Sequence, residues 1–99
     1  MRIRIYQINR QRDKKNTANL SLEKMLKRTK GKPDWSIYDC VYEGDFEFED
    51  LEEIFIEFSL NPPAGFTGRE LSISDVVMIR NEDGSKSSFY CDTSGWKRV

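Results

Sequence analysis

The chain of 99 residues contains no histidine and only two cysteines. Without histidine it cannot build a His-based catalytic dyad, and it lacks a common ligand of protein zinc sites. Cys40 and Cys91 lie far apart and form no CxxC pair, so we expect two free thiols on buried or half-buried strands. These absences predict a protein that is not an enzyme and that uses no metal and no cofactor.

Long hydrophobic runs are also missing. No segment approaches the roughly 18 apolar residues of a membrane span, and Met1 is followed by Arg-Ile-Arg-Ile rather than by an apolar signal segment. We therefore expect a cytoplasmic chain without membrane contact. The length predicts a single domain, residues 1–99, with a modest core to which six Phe, four Tyr and two Trp contribute.

Positive charge is absent from the middle of the chain. Residues 33–68 contain ten Asp or Glu and no Lys or Arg, whereas residues 1–32 contain eleven Lys or Arg against Asp13 and Glu23. One explanation is that the basic and acidic elements are neighbours in the fold and neutralise each other. The other is a pair of opposed patches, each of which addresses a different partner.

The last third of the chain carries the clearest structural signal. Val76 to Ile79 is apolar at every position, which favours a strand buried on both faces. Asp83-Gly84 then predicts a tight turn, and residues 87–92 predict the returning strand of a central hairpin. Residues 95–99 are a further candidate strand.

The first two thirds predict two strands and two helices. Residues 2–8 alternate until Ile8 breaks the pattern, which predicts a strand that bends or leaves the sheet there. Ser21 and Asp50 suit the N-caps of helices over 22–28 and 51–58, and residues 37–42 predict a strand between them. The order βαβαβββ predicts an α+β domain with a mostly antiparallel sheet of four to five strands and both helices on one face.

Carboxylates crowd the segment from residue 45 to residue 53. They lack the ligand spacing and central glycine of a calcium loop, so we interpret them as an exposed charged surface rather than a metal site. With Asp50 assigned to the helix cap, the first candidate binding surface consists of Asp45, Glu47, Glu49, Glu52 and Glu53.

The motif Phe66-x-Gly68-x-x-Leu71-Ser72-x-Ser74-Asp75-Val76-Val77, followed by Tyr90-x-Asp92-x-x-Gly95-Trp96, resembles YodL-like domains. The resemblance covers residues 37–99 well and the opening strand loosely. The family is uncharacterised, so the resemblance implies a setting on conjugative elements of Gram-positive bacteria and no activity. The chain departs at Arg69 and Trp96, where many members carry histidine and phenylalanine.

The same motif defines a second candidate surface. Structural roles are one interpretation, because Gly68 and Gly95 suit turns or close approaches and the Asp75 carboxylate suits a cap. The other is that the motif's charged and aromatic residues meet at one end of the sheet as a binding surface. That surface would consist of Arg69, Asp75, Tyr90, Asp92 and Trp96.

These patterns favour a non-enzymatic protein-interaction module, an accessory protein of a mobile genetic element that binds another protein. The alternative is a nucleic-acid-directed role. In that case the basic N-terminal third binds DNA or RNA, or the acidic middle acts as an anti-restriction DNA mimic. A hydrolase that uses Asp75 and Asp92 is a third hypothesis. The sequence defines neither the partner nor the oligomeric state.

Overall fold

The computed structural model describes residues 1–99 and confirms the order βαβαβββ. A single 3-10 turn, Trp35–Ile37, precedes the second strand. The strands are β1 (Arg2–Ile8), β2 (Tyr38–Asp45), β3 (Val76–Arg80), β4 (Lys86–Asp92) and β5 (Gly95–Arg98), and the helices are α1 (Leu22–Arg28) and α2 (Leu51–Leu60).

The five strands form one antiparallel sheet in the order β2-β1-β3-β4-β5, which confirms the predicted α+β class. The apolar strand β3 is central, and β4 returns beside it as predicted. Their turn is tight because Gly84 adopts a φ of +88° and its N–H donates to the Asn81 carbonyl at 3.0 Å.

The expectation that both helices lie on one face of the sheet is wrong. Ile54 and Phe58 of α2 pack with Ile3 and Val77, whereas Met25 of α1 packs in a separate cluster with Val76 and its neighbours. Successive residues of a strand point to opposite faces, so the two helices cover opposite sides. Val76 to Ile79 is apolar throughout because both of its faces are covered.

Strand β1 continues through Ile8 instead of leaving the sheet there. The interruption lies in β2, where Ile5 pairs with Tyr42 and Tyr6 pairs with Cys40, so that Val41 is the extra residue of a bulge. Ile8 is 1% exposed and belongs to the core on the α1 side. The alternation of polar and apolar residues along β1 breaks after Ile5. The next residue that faces α2 is the buried polar Gln7, and the apolar Ile8 faces α1.

Both predicted helix N-caps are confirmed. The Ser21 hydroxyl accepts the Lys24 N–H at 3.3 Å, and the Asp50 carboxylate accepts the Glu53 N–H at 2.9 Å. The Glu53 carboxylate also accepts the Glu49 N–H at 2.9 Å, which satisfies a second donor at the start of α2. Neither helix is long and apolar enough to cross a membrane.

We expect the Met25→Ala variant to lose about 2–5 kcal/mol of unfolding free energy, because Met25 is fully buried between α1 and the sheet. Urea denaturation followed by circular dichroism measures the loss. Lys24→Ala, one residue earlier on the exposed side, is the control and should change stability by less than about 0.5 kcal/mol. Equal losses in the two variants would contradict the packing of α1 on this face.

Candidate functional site

Part of the charge segregation is neutralised inside the sheet, because basic residues near β1 lie beside acidic residues of β2. Arg4 Nε lies 2.8 Å from Glu43 Oε2, and Arg12 Nη2 lies 2.6 Å from Asp39 Oδ1. Hydrogen bonds from these arginines lower the pKa values of the Glu43 and Asp39 carboxyl groups below their ordinary values. Internal pairing therefore explains the charges at β1 and β2.

The first candidate surface is divided between paired and unpaired acids. Asp45 lies 4.0 Å from the Arg2 guanidinium, and Glu47 lies 3.3 Å from the Met1 amino group. Glu49, Glu52 and Glu53 gather around the first turn of α2 and form no ion pair. The unneutralised acids are thus on the helix and not on the strand.

Two apolar side chains are exposed on α2, and the sequence analysis missed them. Ile56 is 51% exposed and Leu60 is 81% exposed, four residues apart on the helix. The buried side of α2 is formed by Ile54 and Phe58, so Ile56 and Leu60 lie outside the apolar stripe. Two aliphatic residues outside the apolar stripe of a helix are visible in the sequence alone and could have indicated an exposed apolar patch.

In the second candidate surface, Asp75 is fully buried. Its Oδ2 accepts the Ser72 N–H at 2.8 Å and the Gln7 amide at 3.0 Å, while Oδ1 accepts no hydrogen bond and lies 4.0 Å from Arg69 Nη2. Burial raises the pKa of Asp75 to about 6, against the opposing effect of Ser72, Gln7 and Arg69. The structure brings Arg69 and Asp75 together, but only Asp75 is buried, whereas the Arg69 side chain is exposed.

The other three residues of that surface point in different directions. Tyr90 is fully buried on the α1 side, where its hydroxyl donates to the Leu20 carbonyl at 2.7 Å. Asp92 accepts the Leu22 N–H at 3.2 Å. Trp96 lies on the α2 side, edge-on to Phe55 with ring centroids 6.5 Å apart. The five residues therefore do not form one continuous surface, although Asp92 and Trp96 share a groove of about 160 Å³.

Gln7 is the buried polar residue that the sequence analysis missed. Its amide oxygen accepts the Arg69 N–H at 3.0 Å, and its amide nitrogen donates to the Arg69 carbonyl at 2.9 Å as well as to Asp75. A Cβ at position 68 would overlap the Gln7 amide and lie 3.0 Å from Val41 Cβ, so only glycine fits there. The close approach predicted for Gly68 is confirmed.

The two cysteines lie in different environments. Both cysteines are free, but only Cys91 is buried, so the expectation of a buried or half-buried thiol is wrong for the exposed Cys40. Burial raises the pKa of the Cys91 thiol to about 12, so it stays protonated at neutral pH. No three Cys, Asp or Glu side chains are arranged to share a metal ion.

The molecule is a small α+β domain in which the most specific sequence motif builds a buried hydrogen-bond network. The family model of the YodL-like domain matches residues 2–99. The chain therefore belongs to the family of YodL-like domains, and the match includes the opening strand. No curated protein and no solved structure matches the chain.

Asp75 predicts a specific pH dependence of stability. Its ordinary pKa is 3.8 and its pKa in the folded chain is about 6, so between these values the folded state binds more protons than the unfolded state. The free energy of unfolding therefore falls as pH rises through this window, by about 3 kcal/mol. The Asp75→Asn variant should lack this pH-dependent fall in the free energy of unfolding. Urea denaturation of the wild type and of the variant from pH 4 to pH 7 measures the difference.

A second variant tests the same group without removing it. Arg69→Gln should move the Asp75 transition to higher pH, because the Arg69 charge favours the carboxylate form. Parallel stability profiles for the wild type and Asp75→Asn would contradict the assignment.

Proposed function

We propose that this chain is a non-enzymatic protein-interaction module, an accessory protein of a mobile genetic element. Its partner binds the exposed side of α2. The proposal rests on one observation, the exposed pair Ile56 and Leu60 on a helix whose other exposed side chains include unpaired acids. The mobile-element setting comes from the family resemblance alone.

The exposed pair forms a patch with an acidic border. Residues three or four apart on a helix are neighbours, so Ile56 adjoins Leu60 on one side and Glu52 and Glu53 on the other. Single exposed aliphatic residues are normal, whereas adjacent ones that carry a charged rim are typical of interaction surfaces. None of these glutamates forms an ion pair, so their charges are available to a partner.

The surface fits a basic amphipathic segment of a protein. Apolar side chains of such a segment would cover Ile56 and Leu60, and its Lys or Arg residues would meet Glu52 and Glu53. Burial of the apolar centre would supply most of the affinity, while the charges would determine orientation and partner choice.

The anti-restriction mimic has less support. A DNA mimic needs an uninterrupted row of negative charges, but Asp39, Glu43 and Asp45 on β2 each lie within 4.0 Å of an arginine. The acidic surface that remains on α2 is short and has an apolar centre, which favours a protein partner.

Site-specific crosslinking tests the proposal. A photoreactive phenylalanine at position 60 should crosslink a host protein in lysate, and mass spectrometry should map the adduct to a Lys- or Arg-rich segment. Adding Ile56→Ser should reduce the adduct about tenfold or more, since it removes an apolar side chain from the contact. The same photoreactive residue at Lys27 of α1 is the control position. A comparable adduct from position 27, or an adduct at position 60 that survives Ile56→Ser, would refute the α2 interface.

A further inference from the structure

The sheet face that carries α1 is only half covered. Towards one end of the strands, α1 and the 3-10 turn bury Ile8, Val76 and Tyr90. Towards the other end no helix covers the sheet, and this uncovered end exposes Arg2, Arg80 and other polar side chains. We call this region the open sheet face.

The open sheet face carries an unusual row of cations. Arg2 on β1 pairs with Arg80 on β3, and Arg80 pairs with Lys86 on β4, so three cations stand side by side across three strands. Adjacent strands are about 4.8 Å apart, and like charges directly opposite each other destabilise a sheet. Arg80 and Lys86 form no ion pair with any carboxylate. Arg2 is already paired with Glu43 and Asp45, so Arg80 and Lys86 are the two cations of the row that an anionic ligand would neutralise.

A groove with aromatic walls adjoins the cation row. It has a volume of about 260 Å³, and its lining includes the aliphatic residues Val76 and Met78, the aromatic residues Tyr6 and Trp35, and the cations Arg4 and Lys86. Trp35 is 48% exposed although it is the largest side-chain type, and its ring centroid lies 5.4 Å from that of Tyr38. The Asp34 cap of the 3-10 turn fixes the backbone that presents it.

We infer that the open sheet face binds single-stranded nucleic acid. An unpaired base would enter the groove and stack on Trp35, and the adjoining phosphates would contact Arg80 and Lys86. Every base offers a π-face, so aromatic stacking combined with a cationic track binds single strands with little sequence preference. A duplex cannot use the groove, because its bases are already stacked and paired. The inference is independent of the α2 interface, which lies on the opposite face of the sheet.

Fluorescence anisotropy with labelled 12-nucleotide single strands of DNA and RNA tests the inference. A 12-base-pair duplex and a polyglutamate peptide are measured in the same way, as a double-stranded and a polypeptide polyanion for comparison. We expect at least one single strand to bind about tenfold more tightly than the duplex and the peptide. Equal or tighter binding of the duplex or of polyglutamate would overturn the assignment, as would absence of single-strand binding at 50 mM salt.

Two variants separate the roles of stacking and charge. Trp35→Ala should weaken single-strand binding about tenfold and leave its salt dependence unchanged. Arg80→Gln/Lys86→Gln should reduce the slope of log affinity against log salt by about 1.4, since each phosphate contact on a single strand contributes roughly 0.7. All three side chains are exposed, so we expect both variants to fold, which circular dichroism verifies.

A charge-matched control locates the site. Lys14→Gln/Lys15→Gln removes the same charge from an exposed loop that does not line the proposed groove and should change affinity by less than about twofold. If this control loses as much affinity as Arg80→Gln/Lys86→Gln, binding is a diffuse property of the basic N-terminal third and the proposed site is wrong.

Discussion

The structure depends on one buried carboxylate. Asp75 has no exposed surface, yet its oxygens and its backbone connect three segments of the chain, namely β1, the loop before β3, and β4. Gln7 of β1 and Ser72 donate to its side chain, Arg69 lies beside it, and Cys91 of β4 donates to its carbonyl at 2.8 Å. A buried charge is tolerated only while such partners are present, and removing one of them leaves it uncompensated. Within the family motif, Ser72 bonds Asp75 directly, and Gly68 leaves the space that Gln7 occupies.

The turn Ser72–Asp75 contacts the layer of α1 through Ser74. This buried residue adopts a φ of +86°, which a non-glycine residue takes only when its surroundings hold it there. Tyr38 donates to its carbonyl at 2.7 Å, and the Asn19 N–H donates to its hydroxyl at 3.1 Å. Helix α1 has only seven residues and would be marginal alone. Contacts of this kind, together with the bond from Tyr90 to Leu20, stabilise the layer to which α1 belongs.

The helices, strands, caps and turns could be predicted from local features of the sequence. The side of the sheet on which each helix packs and the buried hydrogen bonds depend on residues far apart in the chain. Ser21, Asp50 and Gly84 act within a few residues of their own positions, so caps and turn could be predicted. The face on which each helix packs depends on the register of the whole sheet, which no local pattern contains, although the apolar run from Val76 to Ile79 already required cover on both sides. Gln7 and Asp75 are 68 residues apart in the chain, so their hydrogen bond could not be predicted from one sequence.

The arrangement of charge bears on whether the two proposed surfaces would interfere with each other. The ion pairs between β1 and β2 neutralise the sheet edge, whereas Glu52 and Glu53 of α2 and the cations Arg80 and Lys86 of the opposite face form no ion pair. The shortest dimension of the molecule is 24 Å, whereas charges at physiological salt are screened over about 8 Å. The acids of α2 therefore repel a polyanion on the open sheet face only weakly. The two proposed partners, a basic protein segment on α2 and a nucleic-acid strand on the other face, would therefore not compete for residues.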